Sequence, residues 1–148
     1  MHKLWINRNL FFWFLFFLPS LPVFSTVVEG KDAEYAGKKL NFFRYADPVT
    51  KEKKPVFSLK FDAEGNFSRD IDIETTTFVF CDFGIYRGML FLEPQKKLTL
   101  LFPPFRTKSF ADQKNPFFEP VSFWIATKSK DHLNDQVSAF DSKLNQNR

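Results

Sequence analysis

Residues 56–73, VFSLKFDAEGNFSRDIDI, constrain the fold more than any other stretch of the chain. Phe57, Leu59 and Phe61 alternate with Val56, Ser58 and Lys60, the period of a half-buried β-strand. DAEG then supplies turn chemistry, with Gly65 where a positive φ is needed. Alternation resumes through Phe67, Arg69, Ile71 and Ile73. A β-hairpin is the direct expectation.

The same pattern runs through most of the chain. In KLNFFRY (residues 39–45), Leu40 and Phe42 share one face while Phe43 and Tyr45 share the other. ADPVTKEKK follows as a charged turn. TTTFVFCDF is β-branched and aromatic, a composition that fits a pleated strand better than a helix. Gly84 turns it into IYRGMLFL, EPQKK turns again into LTLLF, and VSFWIAT (residues 121–127) adds one more strand. About seven strands with turn signals at short intervals predict a sandwich or barrel. The ending differs: Leu133, Val137, Phe140 and Leu144 recur at helical spacing, with Ser129 or Asp131 available to cap the first turn. Leu133, Val137 and Phe140 are therefore a candidate helix interface.

The N-terminus reads as an export signal. MHKLWINRN is basic and free of acids, LFFWFLFFLPSLPVF is apolar and broken late by Pro19 and Pro22, and small residues follow near Ser25. The apolar block is shorter than the roughly 20 residues that cross a bilayer, so membrane contact is expected only in transit. No cysteine stands near the cleavage point, which excludes lipid attachment at a processed N-terminal cysteine.

Setting Lys3 and Arg8 aside, the 21 cations become 19 against 17 acids, and they are interspersed. That balance argues against nucleic acid as a partner. Cys81 is the single cysteine, so no intramolecular disulfide forms.

Several of these stretches carry a resemblance. YAGKKLNFFRYADPVTKEK, DAEGNFS, YRGMLFLEPQKKLTLLFPP, NPFFEP and LNDQVSAFDSK together resemble the N-terminal β-domain of secreted Bacteroidetes proteins of unknown function. The domain is similar to one that precedes thioredoxin-like disulfide oxidoreductases in that phylum. The resemblance covers most of residues 35–143, and the shared features are structural. It implies a helical or thioredoxin-like module downstream in longer relatives, and it supplies no catalytic residues.

The chemistry-bearing side chains point to no reaction. Cys81 lies in an apolar strand with no resolving partner, so it is expected to pack as a small hydrophobe. His132, the one histidine after the leader, is expected to be solvated on the helix, with neither triad nor zinc-ligand spacing around it. Asp70, Asp72 and Glu74 share one strand face but lack the looped geometry of a calcium site. Asn66–Phe67–Ser68 matches a glycosylation sequon and reads as turn and strand. No cofactor is expected.

What remains is an aromatic surplus. Of the chain's 22 phenylalanines six lie in the leader, and the 16 that remain are more than one sandwich interior accommodates if every strand alternates. Residues 101–120, LFPPFRTKSFADQKNPFFEP, follow no strand or helix period. Phe105, Arg106, Lys108 and Phe110 form a candidate interaction surface, since aromatic rings beside cations suit recognition. Phe117 and Phe118, between Pro116 and Pro120, are expected to complete the core as a strap.

The expected architecture is a mainly β, roughly seven-stranded antiparallel, prealbumin-like β-sandwich with one C-terminal amphipathic helix. Residues 1–25 are the leader, 26–128 the β-domain and 129–148 the helix, read as the stub of a longer module. The expected role is a non-catalytic, periplasmic or cell-surface accessory domain that contacts a protein partner or a downstream module. The alternative is a binding domain for peptide or carbohydrate that uses the loop at 105–118.

Overall fold

The structure, a computed structural model, describes residues 25–128 and 132–146. The leader expected over residues 1–25 lies outside them except for Ser25, as do Ser129 and Asp131, the expected helix caps. Nine strands form two sheets: β1 (Ser25–Lys31), β2 (Lys39–Tyr45), β3 (Lys53–Lys60), β4 (Asn66–Asp72), β5 (Thr77–Phe83), β6 (Tyr86–Leu92), β7 (Lys97–Leu101), β8 (Val121–Trp124) and β9 (Ala126–Thr127). A short helix α1 (Phe110–Lys114) interrupts the passage from β7 to β8, and α2 (Leu133–Gln146) follows β9.

One sheet has the order β4-β1-β7-β9 and the other β3-β2-β5-β6-β8. Buried side chains of both sheets, among them Val28, Phe67, Leu98 and Leu100 from the first and Phe42, Leu59, Val79 and Leu90 from the second, meet in one core. The arrangement is therefore mainly β and sandwich-like. The described residues hold nine strands where about seven were expected, and both sheets are mixed, because β1 runs parallel to β7 and β6 parallel to β8.

The turn at 62–65 does not close a hairpin. β3 pairs with β2 and β4 with β1, so the turn is a corner between the two sheets. Its chemistry is as the sequence requires. Asp62 Oδ1 accepts from the amides of Glu64 and Asn66 at 3.0 and 2.7 Å, and Gly65 has φ 79°. Gly65 also offers its carbonyl to the Asp32 amide at 2.9 Å, which ties the corner to the 3-10 turn that follows β1. Period-2 alternation names the buried face of each strand and leaves its partner open. The tight hairpin is β5–β6, paired from Thr77↔Leu92 to Phe83↔Tyr86 around Gly84.

β1 has no counterpart among the expected strands. Its buried Thr26 reads as polar, yet the hydroxyl donates to the Glu93 carbonyl at 2.6 Å and the residue is fully enclosed. The expected strand at 121–127 is split at Ile125, whose amide still reaches the Met89 carbonyl at 2.9 Å while the chain passes from one sheet to the other. Between β1 and β2, a 3-10 turn capped by Asp32 delivers Tyr35 into the core.

Candidate functional site

The residues of the 101–120 loop do not converge. Phe105 turns inward: its ring meets Tyr35 edge-on at 5.3 Å, its amide donates to Glu34 Oε2 at 2.7 Å, and Lys38 Nζ sits 4.6 Å from its centroid. Arg106 holds the β5–β6 turn through its carbonyl, which accepts from the Ile85 amide at 3.1 Å, while its side chain is exposed. Lys108 Nζ lies over Phe118 at 4.2 Å, and Lys114 Nζ lies over Phe110 at 4.2 Å. Phe110 is 73% exposed at the start of α1, whose capping box joins Ser109 and Asp112.

Neither ring of NPFFEP joins the core as the strap expectation required. Phe118 is partly covered, but Phe117 is 85% exposed. The Asn115 side chain accepts from the Phe117 amide at 2.9 Å and its carbonyl accepts from Phe118 at 3.2 Å. This Asx turn places Phe117 at the tip, away from the core.

The helix face is also divided. Leu133 and Val137 are half-buried, while Phe140 is 64% and Leu144 52% exposed. The first turn of α2 is anchored by Asn134, which accepts from the Phe91 amide at 2.6 Å and donates to the Phe91 carbonyl at 2.8 Å. β8 ends opposite Met89, so the Asn134 amide occupies the place where the next strand residue would have paired. His132 is not solvated as expected but buried at 7% exposure, with Nδ1 3.6 Å from Glu93 Oε2. The histidine enters the interior because it lies at the docking end of the helix, beside the Asn134 anchor.

Cys81 is enclosed at 0% exposure, and burial pushes its thiol pKa up, so the thiolate is suppressed. Asp70 and Asp72 are exposed on β4, and among the described residues no group of three or more His, Cys, Asp or Glu side chains is placed to hold a metal. No helix among them is long and apolar enough to cross a membrane.

The feature that sequence reasoning missed is the outer face of the five-stranded sheet. Val79, Cys81 and Phe83 of β5 point into the core; Phe78 and Phe80 take the opposite phase. Phe80 contacts Phe43 and Tyr45 of β2 at 6.3 and 4.5 Å. Phe78 continues the row to Phe91 of β6 and Trp124 of β8, at 5.4 and 6.1 Å. Six aromatic rings thus cross the sheet on the side away from the core, all but Phe80 partly exposed.

A cationic pair covers Phe80: Lys53 Nζ and the Arg87 guanidinium each lie 5.4 Å from its centroid. Asp82 binds both, to Lys53 at 2.8 Å and to Arg87 at 2.6 and 3.0 Å. Burial works against the charge of Asp82, but the hydrogen bonds from Arg87 and Lys53 outweigh it and hold the carboxyl below its ordinary pKa. The signal was present in FVF, where phenylalanine occupies one phase beside Val79, Cys81 and Phe83 in the other. A strand apolar in both phases is covered on both sides or exposes a patch.

Phe91 and Trp124 are stacked on one another, 12° from parallel with centroids 5.5 Å apart. The chain matches no family model, no curated protein and no solved structure.

Proposed function

We propose that the chain is an exported, non-catalytic interaction domain whose outer sheet face receives a protein partner. The observation that carries this reading is the row Phe43, Tyr45, Phe80, Phe78, Phe91 and Trp124 on the side of the sheet away from the core, five of its rings partly exposed and Phe80 buried beneath Lys53 and Arg87. Half-buried rings offer large contact area at small entropic cost, the composition of interface anchors. Export to the periplasm or cell surface is supported by the basic, apolar and proline-broken order of residues 1–25. Two facing sheets support a prealbumin-like sandwich as the scaffold, and the two parallel strand pairs depart from the all-antiparallel pairing expected.

The exposed Phe140 and Leu144 support a contact of α2 with a further module or partner. The alternative, a peptide or carbohydrate site in the 105–118 loop, draws on exposed Phe110 and on Phe117 at its border. It loses Phe105 as a contact residue, because that ring faces Tyr35.

The test is a photo-crosslinking amino acid at position 91, with position 72 as control; Asp72 is exposed on β4, in the other sheet. In producing cells, a discrete protein adduct is expected from position 91, absent from position 72 and lost on Trp124→Ser. Equal adducts from both positions, or none from 91, would remove the basis for the reading.

A further inference from the structure

The aromatic face continues at one end into a hollow of about 760 Å³ whose lining includes Lys39, Lys60, Arg69, Asn41, Phe43 and Pro55. Three of these are cations and none is an acid. Lys39 of β2 stands directly opposite Lys60 of β3 in the strand register, and Arg69 approaches from β4. Like charges directly opposite one another weaken a strand pair. None of the ion pairs formed among the described residues involves these three side chains.

Protection of an edge strand accounts for part of this charge. β3 is an edge and carries Lys53, Lys54 and Pro55, together with a register shift opposite Phe42 and Phe43, all of which deter a further strand. Lys39 has no such duty, because β2 lies inside the sheet between β3 and β5. The neutral groups add to the same polarity. The Ser58 hydroxyl donates to Asn41 Oδ1 at 2.9 Å, which leaves the Asn41 amide group free to donate outward. Lys39, Lys60, Arg69 and Asn41 therefore present donors to one space.

A second hollow shares Lys39, Asn41 and Phe43 and extends to Lys38 and Phe105. Its one carboxylate, Asp82, is already bound by Lys53 and Arg87. A second copy of this face would bring the same cations against themselves, so charge excludes a face-to-face dimer here.

We propose that the surface around Lys39, Lys60 and Arg69 binds an acidic segment of the protein partner. The inference rests on the interaction-domain reading and names the chemistry of its partner. Carboxylates answer the donors of the hollow, and apolar side chains beside them answer Phe43, Pro55 and Val56. An acidic polysaccharide supplies the first and lacks the second.

Fluorescence anisotropy on the full chain tests this with three labelled probes: a short peptide of Glu and Phe, its Gln and Phe counterpart, and an oligogalacturonate of matching charge. The Glu-Phe peptide is expected to bind, to weaken as salt rises, and to lose about tenfold in affinity in the double variant Lys39→Gln, Lys60→Gln. The double variant should melt no lower than the parent, since it removes a repulsion. Equal binding of the peptide by parent and variant, or tighter binding of the oligogalacturonate, would overturn the proposal. The adduct from position 91 separates the two readings: its persistence without peptide binding refutes the acidic partner alone, and its absence refutes the interaction domain.

Discussion

The phenol of Tyr35 donates to the main-chain carbonyl of Pro103 at 2.8 Å, across 68 residues of sequence. Tyr35 is fully buried and touches the rings of Phe61, Phe83, Phe102 and Phe105, so one side chain joins the 3-10 turn to the start of the long loop. Burial pushes its pKa up, which keeps the proton on the phenol and preserves the donor. Tyr35→Phe keeps the ring and leaves the carbonyl unpaired, and is expected to cost about 1–2 kcal/mol. Tyr35→Ala also opens a cavity and is expected to cost about 3–5 kcal/mol. Urea denaturation followed by circular dichroism measures both.

Three glycines with positive φ separate strain from collision. Gly37 has φ 71° with open space where a Cβ would stand, so Gly37→Ala is expected to cost about 1 kcal/mol from backbone strain alone. Gly65 has φ 79° and a Cβ there would run into the Asp32 carbonyl; at Gly84, φ 50°, it would run into the Arg106 carbonyl. Both substitutions are expected to cost more than about 2 kcal/mol, because main chain has to move. Thermal melts of the three variants should rank Gly37→Ala well above the other two.

Local chemistry was legible in the sequence, while long-range pairing was not. Buried Phe57, Leu59, Phe67 and Ile71 follow the alternation, and Gly65 holds the left-handed conformation that its turn requires. The pairing of β3 with β2 and of β4 with β1 depends on which strand covers which edge, information that no period-2 pattern carries. The aromatic surplus was visible as a number. Its location was misjudged, because loop position suggested exposure for Phe105 while the phase of Phe78 and Phe80 within β5 went unweighed. His132 was misplaced because helical spacing leaves it off the apolar stripe, and only the docking of the first turn buries it.

Cys81 offers a probe of global opening. The thiol is enclosed between core strands, and burial holds its pKa up, so reaction with a thiol reagent at neutral pH requires exposure. Its labelling rate is expected to rise with urea in parallel with unfolding. Labelling at native rates typical of a free thiol would contradict the packing. Cys81→Ala should be tolerated better than Cys81→Ser, which places an unpaired hydroxyl in an apolar site.

The Asn134 anchor predicts a local loss of order. Asn134→Ala removes both hydrogen bonds to Phe91 and leaves a buried amide and carbonyl without partners, at about 2–4 kcal/mol. Asn134→Asp keeps the acceptor, loses the donor and sets a carboxylate against the Phe91 carbonyl, so it is not expected to rescue. Two other ties of the first turn are the Leu133 amide on Glu93 at 3.3 Å and the Thr127 hydroxyl on Asp135 at 2.7 Å. Hydrogen exchange should therefore accelerate across α2 and at the Phe91 amide of β6, while β2 and β5 keep their protection.

Asp82 ties the charge of the outer face to its stability. Its ordinary pKa of 3.8 is lowered in the folded chain, where the hydrogen bonds from Arg87 and Lys53 outweigh the cost of burial. A depressed carboxylate stabilises the folded state above its unfolded pKa, and that contribution is lost as pH falls through the lower folded value. Asp82→Asn is expected to lower stability by about 1 kcal/mol at neutral pH, a modest figure because water screens the half-exposed cluster. The difference from the parent should stay constant above about pH 5 and shrink below pH 4, as the parent carboxyl protonates. Denaturant titrations at neutral and acidic pH measure it; a gap that widens toward acid would reverse the sign and refute the assignment. Loss of Asp82 also frees Lys53 and Arg87 over Phe80, so the same variant should bind the Glu-Phe peptide more tightly at low salt.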